Sequence, residues 1–141
     1  MRPESRPWHR HAGDRQLMVH VVIADDDEVI RDLVRRIVSR QGWTCDTASD
    51  GLQARELVER LVPDLVITDM SMTLLNGMEL LRAIKSDPRL AHIPVVIMSS
   101  VDRESEAREL GCAAFIPKPF TLEIMLHVLI QLVPANRPAD Q

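Results

Sequence analysis

"VVIADDDEVI", residues 21–30, is the stretch that decides how the chain folds. Val19 and Val21 to Ala24 make an apolar run broken only by His20, and it leads straight into Asp25, Asp26 and Asp27, with Glu28 behind them. A short apolar run of this kind reads as a buried β-strand. Val29, Ile30, Leu33, Val34, Ile37 and Val38 then recur at helical spacing, which predicts a helix from Glu28 to about Arg40, ended by Gly42. Like charges this close repel one another. A strand end carrying such a group of carboxylates therefore requires something to offset the repulsion.

The strand-then-helix pattern repeats outward from this point. Strand one covers about 19–24 and strand two about 43–48. Ser49-Asp50 can cap a second helix that runs to about Leu61, and Pro63 stops it. "DLVIT", 64–68, reads as strand three, followed by a loop to Asn76-Gly77 and a helix to about Ser86. Pro88 and Pro94 bracket a connection to "VVIM", 95–98, the fourth strand. A polar helix over about 103–110 ends at Gly111; "AAFI", 113–116, is strand five, and a last helix spans about 121–133. Buried apolar strands alternating with helices imply a parallel sheet covered on both faces, with right-handed crossovers. The fold class is α/β, a three-layer α/β/α sandwich. Ligands in such folds bind beyond the carboxyl ends of the strands.

The bulk numbers narrow the function. The 141 residues suffice for one domain with a sizeable core, placed at 18–133. The net charge of −4 argues against a general nucleic-acid or anionic-membrane binder. No apolar run reaches the roughly 18 residues of a membrane span. Cys45 and Cys112 make no disulfide framework, which suits a reducing cytoplasm, and they read as small buried hydrophobes. Residues 1–17 carry +2, from Arg2, Arg6, Arg10 and Arg15 against Glu4 and Asp14, which leaves −6 for the remainder. This leader has no hydrophobic secretory segment and is expected to be disordered, with a basic docking tail as the alternative. Met18 is a candidate start. Residues 134–141 read as a flexible tail, and no output domain is expected after Val133.

The strand ends carry the chemistry. Asp25 and Asp26 follow strand one, Asp69 strand three, Ser99 and Ser100 strand four, and Lys118 strand five, with Pro119 next. These residues converge on one edge of the sheet. Three carboxylates suit Mg²⁺, a hard cation that takes oxygen ligands, and the metal would offset the repulsion. A carboxylate can also attack phosphorus and form an aspartyl phosphate, with Mg²⁺ and a lysine neutralising the transferring group. Fifteen of the seventeen lysine and arginine residues are arginine; only Lys85 and Lys118 are lysine, so position 118 favours a compact ammonium.

With these residues in place, about 18–133 of the chain resembles the response regulator receiver domains of two-component signalling, of the CheY-like kind. The resemblance rests on Asp25-Asp26, on "VITDMSMTLLNGMELL" around Asp69, on "PVVIMSS" and on "IPKPF". It implies a flavodoxin-like strand order 2-1-3-4-5. Asp69 would be the phosphoacceptor. Asp26, Asp69 and the backbone carbonyl of Ser71 would hold Mg²⁺, with Asp25 acting largely through water. Lys118 would pair with the phosphoryl group, whose oxygens would also meet the backbone at Met70 and Ser100. Ser99 would be the switch hydroxyl and Phe115 the rotating aromatic. Pro119 would follow a cis peptide bond. The donor would be a histidine kinase or a histidine phosphotransfer protein. The chain would be a stand-alone cytoplasmic switch with intrinsic self-phosphorylation and autodephosphorylation chemistry, and not an enzyme in the ordinary sense. A receiver fragment of a longer regulator is the alternative. Thr73 stands where the family usually has proline, which removes a φ restraint and predicts a more mobile loop. Ser71 and Val101 occupy positions that influence phosphoryl lifetime.

Plainer readings stand beside these. Asp27 and Glu28 fit a helix N-cap and first turn, and alone Asp25 and Asp26 would fit a strand exit. Ser99 alone is a loop serine, and Phe115 alone is core. His20, His92 and His127 lack ligand spacing and read as structural. In the last helix Glu123, His127 and Gln131 form a polar stripe flanked closely by Ile124 and Ile130, a wider apolar band than one sheet face needs. The face near residues 103–133 is therefore a candidate partner or dimer surface. A haloacid dehalogenase-type phosphatase would require an acid at position 71, which is serine. A flavodoxin-like carrier would require a Ser/Thr/Gly-rich loop after strand one.

Overall fold

The computed structural model describes residues 18–133. The expectations for the leader and for 134–141 lie outside the described residues. The elements run β1 His20–Ala24, α1 Glu28–Arg40, β2 Thr44–Ala48, α2 Gly51–Leu61, β3 Leu65–Asp69, α3 Gly77–Ser86, β4 Val95–Ser99, α4 Glu104–Glu109, β5 Ala114–Pro117 and α5 Leu122–Leu132. All strands pair in parallel in the order β2-β1-β3-β4-β5.

The period of the strands explains the layers. Val21 and Ile23 face one side with Leu65, Ile67, Val96 and Met98, where Val34, Ile37 and Val38 of α1 and Met125 and Leu129 of α5 cover them. Val22 and Ala24 face the other side with Val66, Ile97 and Phe115, under Ala54 and Val58 of α2, Leu80, Leu81 and Ile84 of α3, and Ala107 of α4. β1, β3 and β4 are buried along their whole length. Each large aliphatic side chain fully buried here contributes roughly 1.5–3 kcal/mol relative to exposure.

Caps set the helix starts. Asp27 accepts from the amides of Val29 and Ile30, and Asp50 from that of Gln53. Asn76 and Glu79 close a capping box on α3. Thr121 caps α5 by accepting from Ile124. Gly42, at φ 82°, follows α1 as expected.

Some expectations shift. β2 is not an apolar run: it is the sheet edge, TCDTA, and its residues alternate between exposed and half-buried up to Ala48. Trp43 is buried but lies before it. β3 extends to Asp69, which pairs with Met98 in the ladder. β4 extends to Ser99, opposite Pro117. α4 begins only at Glu104, because Arg103 has non-helical φ and ψ and gives no side-chain cap. Cys112 is buried as expected, whereas Cys45, on the edge strand, is half-buried.

Candidate functional site

The carboxyl edge of the sheet gathers the predicted residues. Asp25 follows the last residue of β1 and is wholly buried. Every polar group it carries has a partner. Its amide donates to the Ala48 carbonyl at 3.1 Å. Its Oδ1 accepts from the Asp27 amide at 2.9 Å, and its carbonyl accepts from Arg31 Nη1 at 2.8 Å. Its Oδ2 lies 3.2 Å from Lys118 Nζ. Asp69 closes β3 and is also buried. Lys118 Nζ reaches Asp69 Oδ1 at 2.9 Å, so one ammonium bridges two buried carboxylates. The lysine is held there by its amide, which donates to the Ser99 carbonyl at 2.7 Å, and its bond to Pro119 is cis.

Burial is the largest influence on the Asp25 carboxyl and raises its pKa; the Asp69 charge adds to this, while the Asp27 amide and Lys118 oppose it. Burial alone would lower the Lys118 pKa. Its hydrogen bonds and charge contacts with Asp69 and Asp25 outweigh that and hold it above the ordinary lysine value. Asp26 is exposed, and its carboxylate has no hydrogen bond or ion pair with a described residue. Asp25, Asp26 and Asp69 each offer a carboxylate oxygen, all within 4.8 Å of one another. Three hard anionic oxygen donors at that spacing fit Mg²⁺.

Ser99 ends β4 and is buried. Its hydroxyl bonds the Val101 carbonyl at 2.7 Å and accepts the Val101 amide at 3.0 Å, with Met70 Sδ at 3.6 Å. Phe115 is buried on β5 opposite Ile97. The Met70 amide corrects an expectation. It donates to the Met98 carbonyl at 2.8 Å as part of the sheet, so it is not available to an oxyanion. The amides of Ser71 and Ser100, both on exposed residues, have no partner among the described residues.

The loop after Asp69 is bonded to its surroundings through Thr73. The Thr73 carbonyl accepts from the Leu75 amide at 2.7 Å and from the Gly51 amide at 3.2 Å. Leu74 between them has φ 72°, which makes a strained γ-turn. Gly51 allows the close approach: a Cβ there would lie 1.7 Å from the Leu75 carbonyl oxygen. Gly77 does the same beneath Asp69, where a Cβ would lie 2.3 Å from the Asp69 carbonyl oxygen. Sequence reasoning did not single out these two glycines or Arg31. The signal available was glycine at the first position of two helices, a place that favours better helix formers.

Residues away from the edge settle as follows. His20 is buried at the far end of β1, with Nδ1 2.6 Å from Thr44 Oγ1 and Nε2 2.9 Å from Asp46 Oδ2. His92 and His127 are exposed, so among the described histidines only His20 is built into the fold. Lys85, the other lysine, donates to the carbonyls of Ala91 and Ile93 and ties down the connection to β4. On α5, Ile124 is 51% exposed, which keeps an apolar contact on the predicted partner face.

A family model, the response regulator receiver domain, matches residues 21–130. The chain belongs to the response regulator receiver family. Receiver domains are phosphorylated by histidine kinases and bind Mg²⁺ through acidic residues. The receiver is 31% identical over 125 residues to the response regulator MprA of Mycobacterium leprae, with 86% of this chain and 54% of that protein covered. It is 32% identical over 127 residues to MprA of Mycobacterium ulcerans, covering 88% and 54%. The chain thus spans about half the length of these curated relatives. Among solved structures, the receiver domain of the Francisella response regulator 1452 superposes with a TM-score of 0.76 at 25% identity, covering 84% of this chain and 99% of that one. The chemotaxis protein CheY4 of Vibrio cholerae gives 0.76 at 24% identity, covering 82% and 98%, and shares the fold. Among the described residues no helix is long and apolar enough to cross a membrane.

Proposed function

We propose that this receiver accepts a phosphoryl group on Asp69 from a histidine kinase or a histidine phosphotransfer protein, and that the modification switches its binding to a downstream protein. The observation that carries the reading is the single ammonium of Lys118 set between Asp25 and Asp69, with Asp26 beside them. A carboxylate oxygen of Asp69 attacks phosphorus as the nitrogen–phosphorus bond of the donor phosphohistidine breaks, and the histidine nitrogen keeps the electron pair. Lys118 already faces the attacking carboxylate and stays to neutralise the phosphoryl oxygens. Mg²⁺, when bound by Asp26, Asp69, the Ser71 carbonyl and, through water, Asp25, would supply further charge neutralisation. The amides of Ser71 and Ser100 are the backbone donors left for the phosphoryl oxygens.

Ser99 is the switch element. Its hydroxyl must leave the Val101 carbonyl to reach the phosphoryl group, and Phe115 packs against the strand that carries it. The two arrangements form the two-state element that phosphorylation biases. The surface near residues 103–133, with Ile124 exposed, is where the downstream protein binds. Intact mass after incubation with acetyl phosphate and MgCl₂ tests the chemistry. One phosphoryl group is expected on the wild type and none on Asp69→Asn; an unmodified but folded wild type would refute it.

The receiver works as a stand-alone switch in this reading. A module of a longer regulator is the second reading, favoured by the half-length coverage of the MprA relatives. Immunoblotting the native protein separates them: a native chain much longer than 141 residues would sink the stand-alone form.

A further inference from the structure

We infer that Arg31 is a positioning residue for the divalent-cation site, acting through the Asp25–Asp26 peptide. The inference rests on the Mg²⁺ reading of the acidic edge. Asp26 is the exposed member of the carboxylate group, and no side-chain bond to a described residue fixes it. Its direction is set by the backbone that carries it. That backbone leaves the sheet at Ala24, where the β1–β2 and β1–β3 pairings both end. The Asp25 carbonyl has therefore passed beyond the ladder and requires a partner from elsewhere. Arg31 supplies it, with Nη1 at 2.8 Å, reaching back over the first turn of α1. With the Asp27 amide on Asp25 Oδ1, this bond holds the two peptides that flank Asp26, Asp25–Asp26 through its carbonyl and Asp26–Asp27 through its amide.

The residue type sharpens the inference. A cation so near the N-terminus of a helix opposes the helix dipole. A cation beside a divalent-cation site also opposes metal binding by Coulomb repulsion. Arg31 makes no ion pair within 4.0 Å with a described carboxylate, so it is not there to neutralise one. What it provides is a long, planar donor that spans from α1 to one carbonyl. Its effect on the metal is thus opposite in sign to the effect of its charge.

That opposition gives the test. Mg²⁺ affinity of wild type, Arg31→Met and Arg31→Lys is measured by calorimetric titration with MgCl₂, and separately from the Mg²⁺ dependence of labelling by acetyl phosphate. Loss of an outer hydrogen bond of this kind weakens metal binding by roughly tenfold or more. Arg31→Met is expected to raise half-saturating Mg²⁺ about tenfold in both measurements. Arg31→Lys recovers part of the affinity. Equal or tighter Mg²⁺ binding by Arg31→Met would overturn the inference, since charge removal alone predicts tightening. Arg31→Leu, which likewise has no donor and no charge, takes its place if the methionine variant does not fold. A wild type that binds no Mg²⁺ would instead overturn the reading of the site itself.

Discussion

Replacing Gly77 with alanine puts a methyl group where the backbone of Asp69 already stands. The new Cβ would lie 2.3 Å from the Asp69 carbonyl oxygen and 2.9 Å from Met70 Cα, against the 3.4 Å at which ordinary contact begins. One side must retreat by about 1.1 Å. α3 cannot easily give way, because its capping box and the bond from the Gly77 amide to the Met70 carbonyl, 2.8 Å long, fix its start. The displacement therefore falls on Asp69 and Met70. Alanine gains about 1 kcal/mol in helix propensity over glycine. Backbone overpacking costs typically 1–3 kcal/mol, or more against an unyielding partner. With an unyielding partner the cost lies at the upper end of that range, so a net loss of about 2 kcal/mol follows, which lowers Tm by roughly 8 °C. With Asp69 in its proposed role as phosphoacceptor, a shift near 1 Å is expected to slow phosphoryl transfer on the order of 10²-fold. Thermal unfolding and the rate of labelling by acetyl phosphate, followed by intact mass, read both effects. Gly42→Ala is the control: its φ of 82° is strained for alanine, but nothing lies within 4 Å of the new Cβ, so labelling should not change. Gly77→Ala with wild-type Tm and wild-type labelling would refute the reasoning.

Lys118→Met leaves two buried carboxylates facing each other. Breaking a buried pair costs about 3–5 kcal/mol, read by urea unfolding in the absence of Mg²⁺, and millimolar MgCl₂ should restore part of it by mass action. A loss below about 1 kcal/mol would count against the bridge, since that is the range of an exposed pair. Asp25 has a pH signature. Its folded pKa lies above 3.8, so ionised Asp25 subtracts stability at every pH above the folded value, and the penalty fades as pH falls through that value to 3.8. Metal-free Asp25→Asn should melt above wild type at pH 7, with the gap closing across that acid window; a gap independent of pH would rule out this origin. Leu74 is 71% exposed at φ 72°, so Leu74→Gly relieves about 1 kcal/mol of left-handed strain. It should melt a few degrees higher; an unchanged or lower Tm would show that the leucine side chain stabilises the turn.

The parts of the fold legible in the sequence are those where burial and pattern agree. β1, β3 and β4 are apolar because helices cover both faces, and Gly42, Asp27, Asp50 and Pro63 punctuate the helices as their chemistry predicts. β2 was placed to within a residue by spacing, but its alternation could not announce an edge strand on its own. In the site, Asp25, Asp26, Asp69 and Lys118 were legible because a parallel sheet brings its strand ends together whatever the side chains. Arg31 was not, since an arginine on an amphipathic helix reads as solvated surface until its carbonyl partner is known. The roles of Gly51 and Gly77 depend on contacts from other segments, which no local pattern encodes. The Met70 amide was misjudged for a related reason. Extending β3 by one residue draws that amide into the ladder.

The span of the Lys118 bridge bears on how the chain comes together. Asp25 and Lys118 are separated by 93 positions, and synthesis delivers the carboxylates long before the ammonium. A nascent chain that has paired β1 with β3 holds Asp25 and Asp69 close together while β5 is still inside the ribosome. Until then the half-built sheet carries its own charge repulsion, and a divalent cation in the surroundings is the counterion at hand. Addition of β5 closes the sheet edge and brings the internal counterion with it. Completion of the sheet and neutralisation of its two buried carboxylates thus coincide.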